Sequence, residues 1–133
     1  MERRKKVLLV DDREDGLCAL RAALDPLGLP LEPAATGEAG LKAALRGDVG
    51  VAVLDVSLPG LGGLEAARYL ARLEQTRHIP VILVTGADRE GGLEAQAAGL
   101  GVADLMPKPV DPWSLRIKVR YLYRISQRLQ SAA

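Results

Sequence analysis

Residues 51–60, VAVLDVSLPG, decide how the rest of the chain is organised. An apolar and largely β-branched run from Val51 to Leu54 leads directly into an acid, Asp55, and a Leu-Pro-Gly turn ends the element. Such a continuous apolar run is typical of a strand that is buried on both faces. An unpaired carboxylate at the end of a buried strand is costly, so we expect Asp55 to meet a cation, a lysine or solvent.

Length and composition indicate one globular domain over residues 1–133. The chain is 48% hydrophobic and 26% charged and contains no Phe, so we expect an aliphatic core. Its net charge of +1 argues against a general nucleic-acid binder, and its single cysteine excludes an internal disulfide framework. No apolar run approaches the ~18 residues that span a membrane, and no signal peptide is evident. We therefore expect a cytoplasmic protein that does not contact a membrane.

Strand and helix patterns alternate along the chain. The apolar run at residues 7–10 resembles the central stretch, because two acids, Asp11 and Asp12, follow it. Pro33 places the second predicted strand at a sheet edge, because proline cannot donate to a central ladder. The predicted strands span residues 7–10, 29–35, 50–56, 81–84 and 102–106, and the predicted helices span 14–25, 38–46, 63–75, 88–98 and 112–130. This alternation predicts an α/β fold whose parallel sheet has helices on both faces.

Several local signals refine the predicted helices. Thr36 is expected to cap the second helix, and Asp111 followed by proline is a strong start for the last one. We place Tyr69 on the apolar face of the third helix and Trp113 against the sheet edge. Gly91 and Gly92 would each cost about 1 kcal/mol in the interior of the fourth helix.

Polar side chains follow four of the five predicted strands. Asp11 and Asp12 follow the first, Asp55 the third, Thr85 the fourth and Lys108 the fifth. Because parallel strands end at one edge of the sheet, we expect these side chains to converge there. Three carboxylates with only oxygen ligands favour Mg²⁺, and Lys108 suits a phosphate oxygen. The set predicts phosphoryl transfer onto an aspartate.

Four sequence motifs resemble those of a known family. The motifs VLLVDD, VAVLDVSLPGLGGLEAARYL, IPVILVTG and ADLMPKP resemble the receiver domain of two-component response regulators, the CheY-like superfamily. The resemblance covers a core of about residues 5–125 and leaves 126–133 as a helical extension or tail. It implies a flavodoxin-like three-layer sandwich with a five-stranded parallel sheet, in strand order 2-1-3-4-5, and five helices.

The resemblance also implies the metal-binding and phosphoacceptor residues. Asp55 matches the phosphoacceptor. Asp11 and Asp12 match the acidic pair that, with Asp55 and the backbone carbonyl of Ser57, holds Mg²⁺ or Mn²⁺. The family then predicts Mg²⁺-dependent phosphorylation of Asp55 by a partner histidine kinase or a phosphotransfer protein.

Further positions match the family's phosphoryl-binding and switch residues. Thr85 matches the hydroxyl residue that moves to meet the phosphoryl group, and Lys108 matches the lysine that pairs with it. Gly86 matches a small residue that leaves phosphoryl access open, and the Lys108–Pro109 peptide matches a cis bond. One position departs from the family, which usually has Tyr or Phe three residues before the lysine, where this chain has Leu105. Either Leu105 switches by packing alone, or the output surface responds weakly, and ordering of residues 88–98 would be a second route.

The expected output is a change of the face formed by residues 88–125, which controls a partner or an attached effector domain C-terminal to this chain. A homodimer through the fourth helix, fifth strand and fifth helix, or through the last helix, is a further expectation. We expect neither direct DNA binding nor a separate enzyme activity, although Asp55 could lose its phosphoryl group by self-dephosphorylation. In the last helix Leu115, Leu122 and Leu129 lie seven apart, which fits either packing on the sheet or the start of a coiled coil.

Two competing functions use the same residues differently. The chain could be an interaction domain that works without phosphorylation, although the intact acid set and Lys108 argue against this. It could also be an aspartyl-phosphate hydrolase, a true enzyme with the same nucleophile. Those enzymes resemble this chain in fold but carry a DxD pair after the first strand, where this chain has Asp11-Asp12-Arg13, and no cap insertion is evident.

Overall fold

The computed structural model describes residues 4–86 and 92–132, with side chains through residue 128. The strands are β1 (Lys6–Val10), β2 (Leu31–Ala34), β3 (Val49–Asp55), β4 (Val81–Thr85) and β5 (Asp104–Pro107). The helices are α1 (Glu14–Leu24), α2 (Gly37–Leu45), α3 (Gly63–Arg72), α4 (Leu93–Leu100) and α5 (Pro112–Ala132), and a 3₁₀ turn at Asp25–Leu27 follows α1. Within the described ranges, no helix is long and apolar enough to cross a bilayer.

The five strands form one parallel sheet in the order β2-β1-β3-β4-β5, which confirms the predicted flavodoxin-like topology. Pro33 lies in β2, opposite Leu9 of β1, so its strand is at the sheet edge as predicted. Every residue of β3 is buried because β3 is the central strand and both of its faces are covered.

The core is aliphatic and lies in two layers, one on each face of the sheet. Alternate side chains of β1 and β3 point to opposite faces, as the two-residue repeat of a strand requires. One layer packs against α2, α3 and α4 and includes Leu8, Val10, Ala52, Leu54, Ala43 and Ala67. The other packs against α1 and α5 and includes Val7, Leu9, Val51, Val53, Leu24 and Val119. The two layers pack against both faces of the sheet, and the polar site lies at the carboxyl ends of its strands.

The third and fourth helices differ most from their predicted bounds. The third ends at Arg72 rather than at residue 75, because Leu73 adopts an extended backbone and the Thr76 hydroxyl donates to the Leu70 carbonyl at 2.9 Å. The fourth begins at Leu93. Gly92 precedes it in the left-handed region with φ of 95°, so Gly92 was wrongly assigned to a helix interior. Residues 88–91 of that predicted helix lie outside the described residues.

Two predicted aromatic positions are wrong. Tyr69 is exposed rather than on the buried face of α3, which is formed by small residues and Leu70. Trp113 is exposed at the start of α5 and does not pack against the sheet edge. Both predictions treated an aromatic ring as core because of its type, whereas the helix phase directs these two rings to solvent.

The caps predicted for α2 and α5 are confirmed. Thr36 accepts a hydrogen bond from the Ala39 N–H at 3.0 Å. Asp111 Oδ2 accepts from the hydroxyl of Ser114 at 2.6 Å and from its backbone N–H at 3.2 Å. These two bonds hold the pKa of Asp111 below its usual value. Leu115 is fully buried and Leu122 is half-buried, so the described leucines of the seven-residue repeat pack on the sheet.

The close approach of α3 to the end of β3 gives a stability prediction. A Cβ on Gly63 would clash with the Asp55 carbonyl oxygen and lie 2.9 Å from Val56 Cα. Both neighbours are backbone atoms, so Gly63→Ala should lower the free energy of unfolding by about 1–3 kcal/mol in urea titrations. Gly99→Ala is the matched control, because its Cβ would enter open space on an exposed helix and should add about 0.5–1 kcal/mol. Equal effects of the two substitutions would contradict the packing.

Candidate functional site

An ion pair joins the ends of β3 and β5. Lys108 Nζ lies 2.7 Å from Asp55 Oδ2 and 3.9 Å from Asp11 Oδ2. The Asp55 side chain is 3% exposed and that of Lys108 is 34% exposed, so the carboxylate is buried and the ammonium reaches it from the rim. The three residues come from β3, from the loop after β1 and from the loop after β5, and the sheet brings them together as the sequence predicted.

The backbone around β4 and β5 sets the position of Lys108. Thr85 lies opposite Pro107 in the ladder, and the Lys108 N–H donates to the Thr85 carbonyl at 2.8 Å. The Lys108–Pro109 peptide is cis. With its backbone held beside Thr85, Lys108 extends its side chain to Asp55.

The loop after β3 holds the other oxygen of Asp55. Its Oδ1 accepts a hydrogen bond from the Ser57 N–H at 3.0 Å. The Ser57 side chain is exposed, and the predicted role of its backbone carbonyl as a metal ligand stays a prediction. Both Asp55 oxygens thus have a partner, which accounts for a carboxylate that is tolerated at this depth.

Glu38 at the start of α2 anchors the same loop, a role that the sequence analysis did not predict. Its Oε1 accepts from the Leu61 N–H at 3.0 Å, and the N–H groups of Glu38 itself and of Leu61 hold the pKa of Glu38 below its usual value. Gly37 allows this approach, because a Cβ there would clash with the Leu61 carbonyl. A glycine followed by an acid just after a helix cap is the only sequence signal for this contact, and it is common in helices without such a role.

Three carboxylates form a cluster beside the ion pair. Oxygens of Asp11, Asp12 and Asp55 lie within 4.8 Å of one another, and Asp12 is the exposed member. Asp11 Oδ1 accepts from the Arg13 N–H at 3.0 Å. Gly16 in the first turn of α1 packs so close to Asp11 that a side chain there would strike the carboxylate. Like charges at this separation repel, so an all-oxygen set of this kind fits a hard divalent cation.

Burial raises the pKa of Asp11. The Arg13 N–H and the Lys108 ammonium oppose that rise, while the charges of Asp55 and Asp12 add to it. The fold therefore opposes ionisation of Asp11, and further positive charge in the site would favour it.

The remaining predicted residues are at the end of β4, directly after it, and in β5. Thr85 is buried, and its hydroxyl donates to the Gly86 carbonyl at a long 3.5 Å. A Cβ on Gly86 would meet nothing within 4 Å, so the space beside it is open. Leu105 is half-buried against the core layer beneath α3 and α4. A cleft of about 580 Å³ opens over the site and is lined by Asp11, Arg13, Gly16, Asp55, Val84 and Lys108, among others.

Comparison with known proteins identifies the family. The family model described as response regulator receiver domain matches residues 7–120, so the chain belongs to the response regulator receiver domains, which are signalling modules. Protein PilH of Pseudomonas aeruginosa is 34% identical over 110 residues, which is 83% of this chain and 90% of PilH. A solved signal receiver domain of an HD domain-containing protein from Pseudomonas fluorescens has a TM-score of 0.84 and 27% identity, covering 95% of this chain and 99% of that one.

Other relatives are longer than this chain. Response regulator PleD of Caulobacter vibrioides is 35% identical over 119 residues, which is 90% of this chain but only 26% of PleD. The chain thus spans about a quarter of the length of that relative. The match identifies the receiver portion and leaves open the activity of any longer protein.

The pKa of Asp11 gives a pH prediction. Its folded pKa lies above its unfolded value, so the stability that this group contributes is present below about pH 3.9 and is lost as pH rises through the folded pKa. Asn at position 11 cannot ionise, so with a metal chelator present at neutral pH Asp11→Asn should raise the free energy of unfolding by about 1 kcal/mol. This gain should vanish on acidification. Urea titrations across the pH range measure this. Asp12→Asn, which removes the exposed carboxylate, should have a smaller effect, and a pH-independent gain in Asp11→Asn would contradict the assignment.

Proposed function

We propose that this chain is the phosphoacceptor receiver of a two-component phosphorelay, with Asp55 as the residue that takes the phosphoryl group. The observation that supports it is the buried Asp55 carboxylate, held 2.7 Å from Lys108 and within 4.8 Å of two further acids. A partner histidine kinase or a phosphotransfer protein would supply the phosphoryl group. The whole chain, residues 1–133, would act as one receiver domain, and its cytoplasmic location stays a prediction.

The transfer requires a nucleophile, cleavage of the bond between phosphorus and the donor, and positive groups that offset the charge on the phosphoryl oxygens. A carboxylate oxygen of Asp55 attacks phosphorus, and the bond from phosphorus to the donor nitrogen of a phosphohistidine breaks with its electron pair going to that nitrogen. Because the attacking group is a carboxylate oxygen, the step needs no base to remove a proton. The Ser57 N–H holds one oxygen of Asp55, and the Lys108 ammonium beside the other would offset negative charge on the phosphoryl oxygens.

The acid cluster would hold Mg²⁺ or Mn²⁺. Asp11, Asp12 and Asp55 would supply carboxylate oxygens, and the backbone carbonyl of Ser57 would complete the protein's share of the ligands. When bound, the ion supplies positive charge that offsets the charge on the phosphoryl oxygens. The close spacing of the acids, two of them buried, supports this assignment.

Phosphorylation would change which hydrogen bonds are available at the ends of β4 and β5. The phosphoryl group adds about −1.5 to −2 charge units and strong acceptor oxygens. The Thr85 hydroxyl holds only a long 3.5 Å bond to Gly86, so it would lose little by turning to a phosphoryl oxygen, and Lys108 would remain paired. The open space at Gly86 would leave room for the phosphoryl group.

The output would be a change of the face formed by residues 88–125. With Leu105 at the position where an aromatic residue is usual, that change would pass through packing of Leu105 or through ordering of α4. The receiving element would be a partner protein or an attached C-terminal effector domain, and the matches to PilH over 90% and PleD over 26% of their lengths support either arrangement. Self-association through α4, β5 and α5 stays a prediction.

Phosphoryl uptake tests the function. With Mg²⁺ and a small donor such as labelled acetyl phosphate, the wild-type chain should acquire acid-stable, hydroxylamine-labile label. Asp55→Asn should reduce the uptake by at least about 100-fold, because an amide is a poor nucleophile. Chelation of Mg²⁺ should have the same direction of effect. The matched control is Asp25→Asn, an exposed acid in the 3₁₀ turn after α1, which should label like the wild type.

Two results would contradict the proposal. Uptake by Asp55→Asn at the wild-type rate would move the acceptor elsewhere. Absence of label in the wild type with every donor tried, including a set of histidine kinases, would favour the phosphorylation-independent interaction domain.

A further inference from the structure

The outer face of α5 carries a row of large apolar side chains. Trp113, Ile117 and Tyr121 lie four residues apart and are 67%, 66% and 59% exposed. They point away from the sheet, because the same helix buries Leu115 and Val119 on its opposite side. Successive members are about 6 Å apart along the helix axis, so the row is about 12 Å long and winds slowly round the helix.

The charges of α5 are all of one sign. No acid follows Asp111 in the sequence, and the helix carries five basic residues, namely Arg116, Lys118, Arg120, Arg124 and Arg128. Arg116 stacks over the Trp113 ring at 4.9 Å, and its Nε donates to the Ala23 carbonyl at 2.8 Å. The Arg116 guanidinium therefore covers one face of the exposed Trp113 ring.

A basic cavity adjoins this row. It measures about 440 Å³ and lies between α5 and the 3₁₀ turn at Asp25–Leu27. Three of its lining residues are arginines, Arg4, Arg120 and Arg124, and none of the lining residues within the described part of the chain is acidic. Arg4 is held there because its Nη2 donates to the Gly28 carbonyl at 2.7 Å. Arg120 and Arg124 are one helical turn apart, a spacing at which like charges destabilise a helix.

We propose that the row and the cavity together form a docking surface for an acidic amphipathic helix of a partner protein. Apolar side chains at the same four-residue spacing would cover Trp113, Ile117 and Tyr121. Carboxylates further along the partner helix would reach Arg120, Arg124 and Arg4. Tryptophan, tyrosine and arginine are the residue types that contribute most to protein interfaces, and here they lie side by side.

Charge argues against the two other occupants of such a face. Pairing of two copies of the outer face of α5 would set arginine against arginine, since the helix offers no carboxylate to either side. An anionic bilayer would meet exposed acids at the end of α5 where Trp113 lies, namely Asp111 and, at the same edge of the sheet, Asp12 and Asp15. A partner helix that is apolar at one end and acidic at the other avoids both conflicts.

The docking surface lies on α5, mostly within the face of residues 88–125 proposed above as the output, and it gives the chemistry of a partner there without requiring phosphorylation. None of Trp113, Ile117, Tyr121, Arg120 and Arg124 belongs to the acid cluster or the Lys108 pair. The proposal therefore stands if Asp55 proves not to be a phosphoacceptor, and Asp55→Asn should leave docking unchanged.

Trp113 makes the test direct, because it is the only tryptophan of the chain. The probe is a synthetic helical peptide with leucines at every fourth position of one half and glutamates at the same spacing in the other. Titration into the full chain should shift Trp113 emission to shorter wavelength in a saturable way. Arg120→Glu with Arg124→Glu should weaken binding about tenfold or more. The matched control, Arg68→Glu with Arg72→Glu on α3, makes the same charge change one turn apart on another face and should leave the affinity unchanged.

A second variant guards against a folding artefact. Ile117→Asp replaces an exposed side chain and should also weaken peptide binding, while circular dichroism shows that each variant is folded. The proposal is overturned if no saturable shift occurs, or if a peptide with lysines in place of the glutamates binds equally well. It is also overturned if phosphatidylserine vesicles shift the emission and the acidic peptide does not, or if the shift appears without peptide as the protein dimerises in sedimentation.

Discussion

The ion pair between Asp55 and Lys108 is the contact on which the site depends. A carboxylate that is 3% exposed is tolerable only with partners for both of its oxygens, and Lys108 at 2.7 Å and the Ser57 N–H at 3.0 Å provide them. The same ammonium lies 3.9 Å from Asp11 and so partly offsets three neighbouring acids. One ammonium faces three carboxylates in a partly buried site, and this excess of negative charge favours the binding of a further cation.

The sheet makes this pairing possible. Asp55 and Lys108 are far apart in sequence, yet β3, β4 and β5 run parallel and end at a common edge. The two aliphatic layers fix those ends, and the glycine at position 63 lets α3 approach the last residue of β3. The packing that buries the strands therefore also positions the charged residues at their ends.

The convergence of Asp11, Asp12, Asp55 and Lys108 could be predicted from the sequence, whereas the strand order was implied by the resemblance to receiver domains. Apolar runs that end in polar residues leave few alternatives once the strands are parallel. The exposure of Tyr69 and Trp113 was missed because both rings were counted as apolar positions, although the phase of each helix turns them to solvent. The Glu38–Leu61 bond joins the start of α2 to the loop after β3, and their approach depends on packing, which no local pattern encodes. The early end of α3 likewise follows from a side chain, Thr76, that lies beyond the helix.

A double-mutant cycle tests the central claim most directly. Free energies of unfolding of the wild type, Asp55→Asn, Lys108→Met and the double variant would be measured in a chelator at neutral pH. A direct pair predicts that the two single effects fail to add, with an interaction free energy of about 1–3 kcal/mol. Additivity within about 0.5 kcal/mol would show that Asp55 and Lys108 do not interact, and would contradict the account of the site.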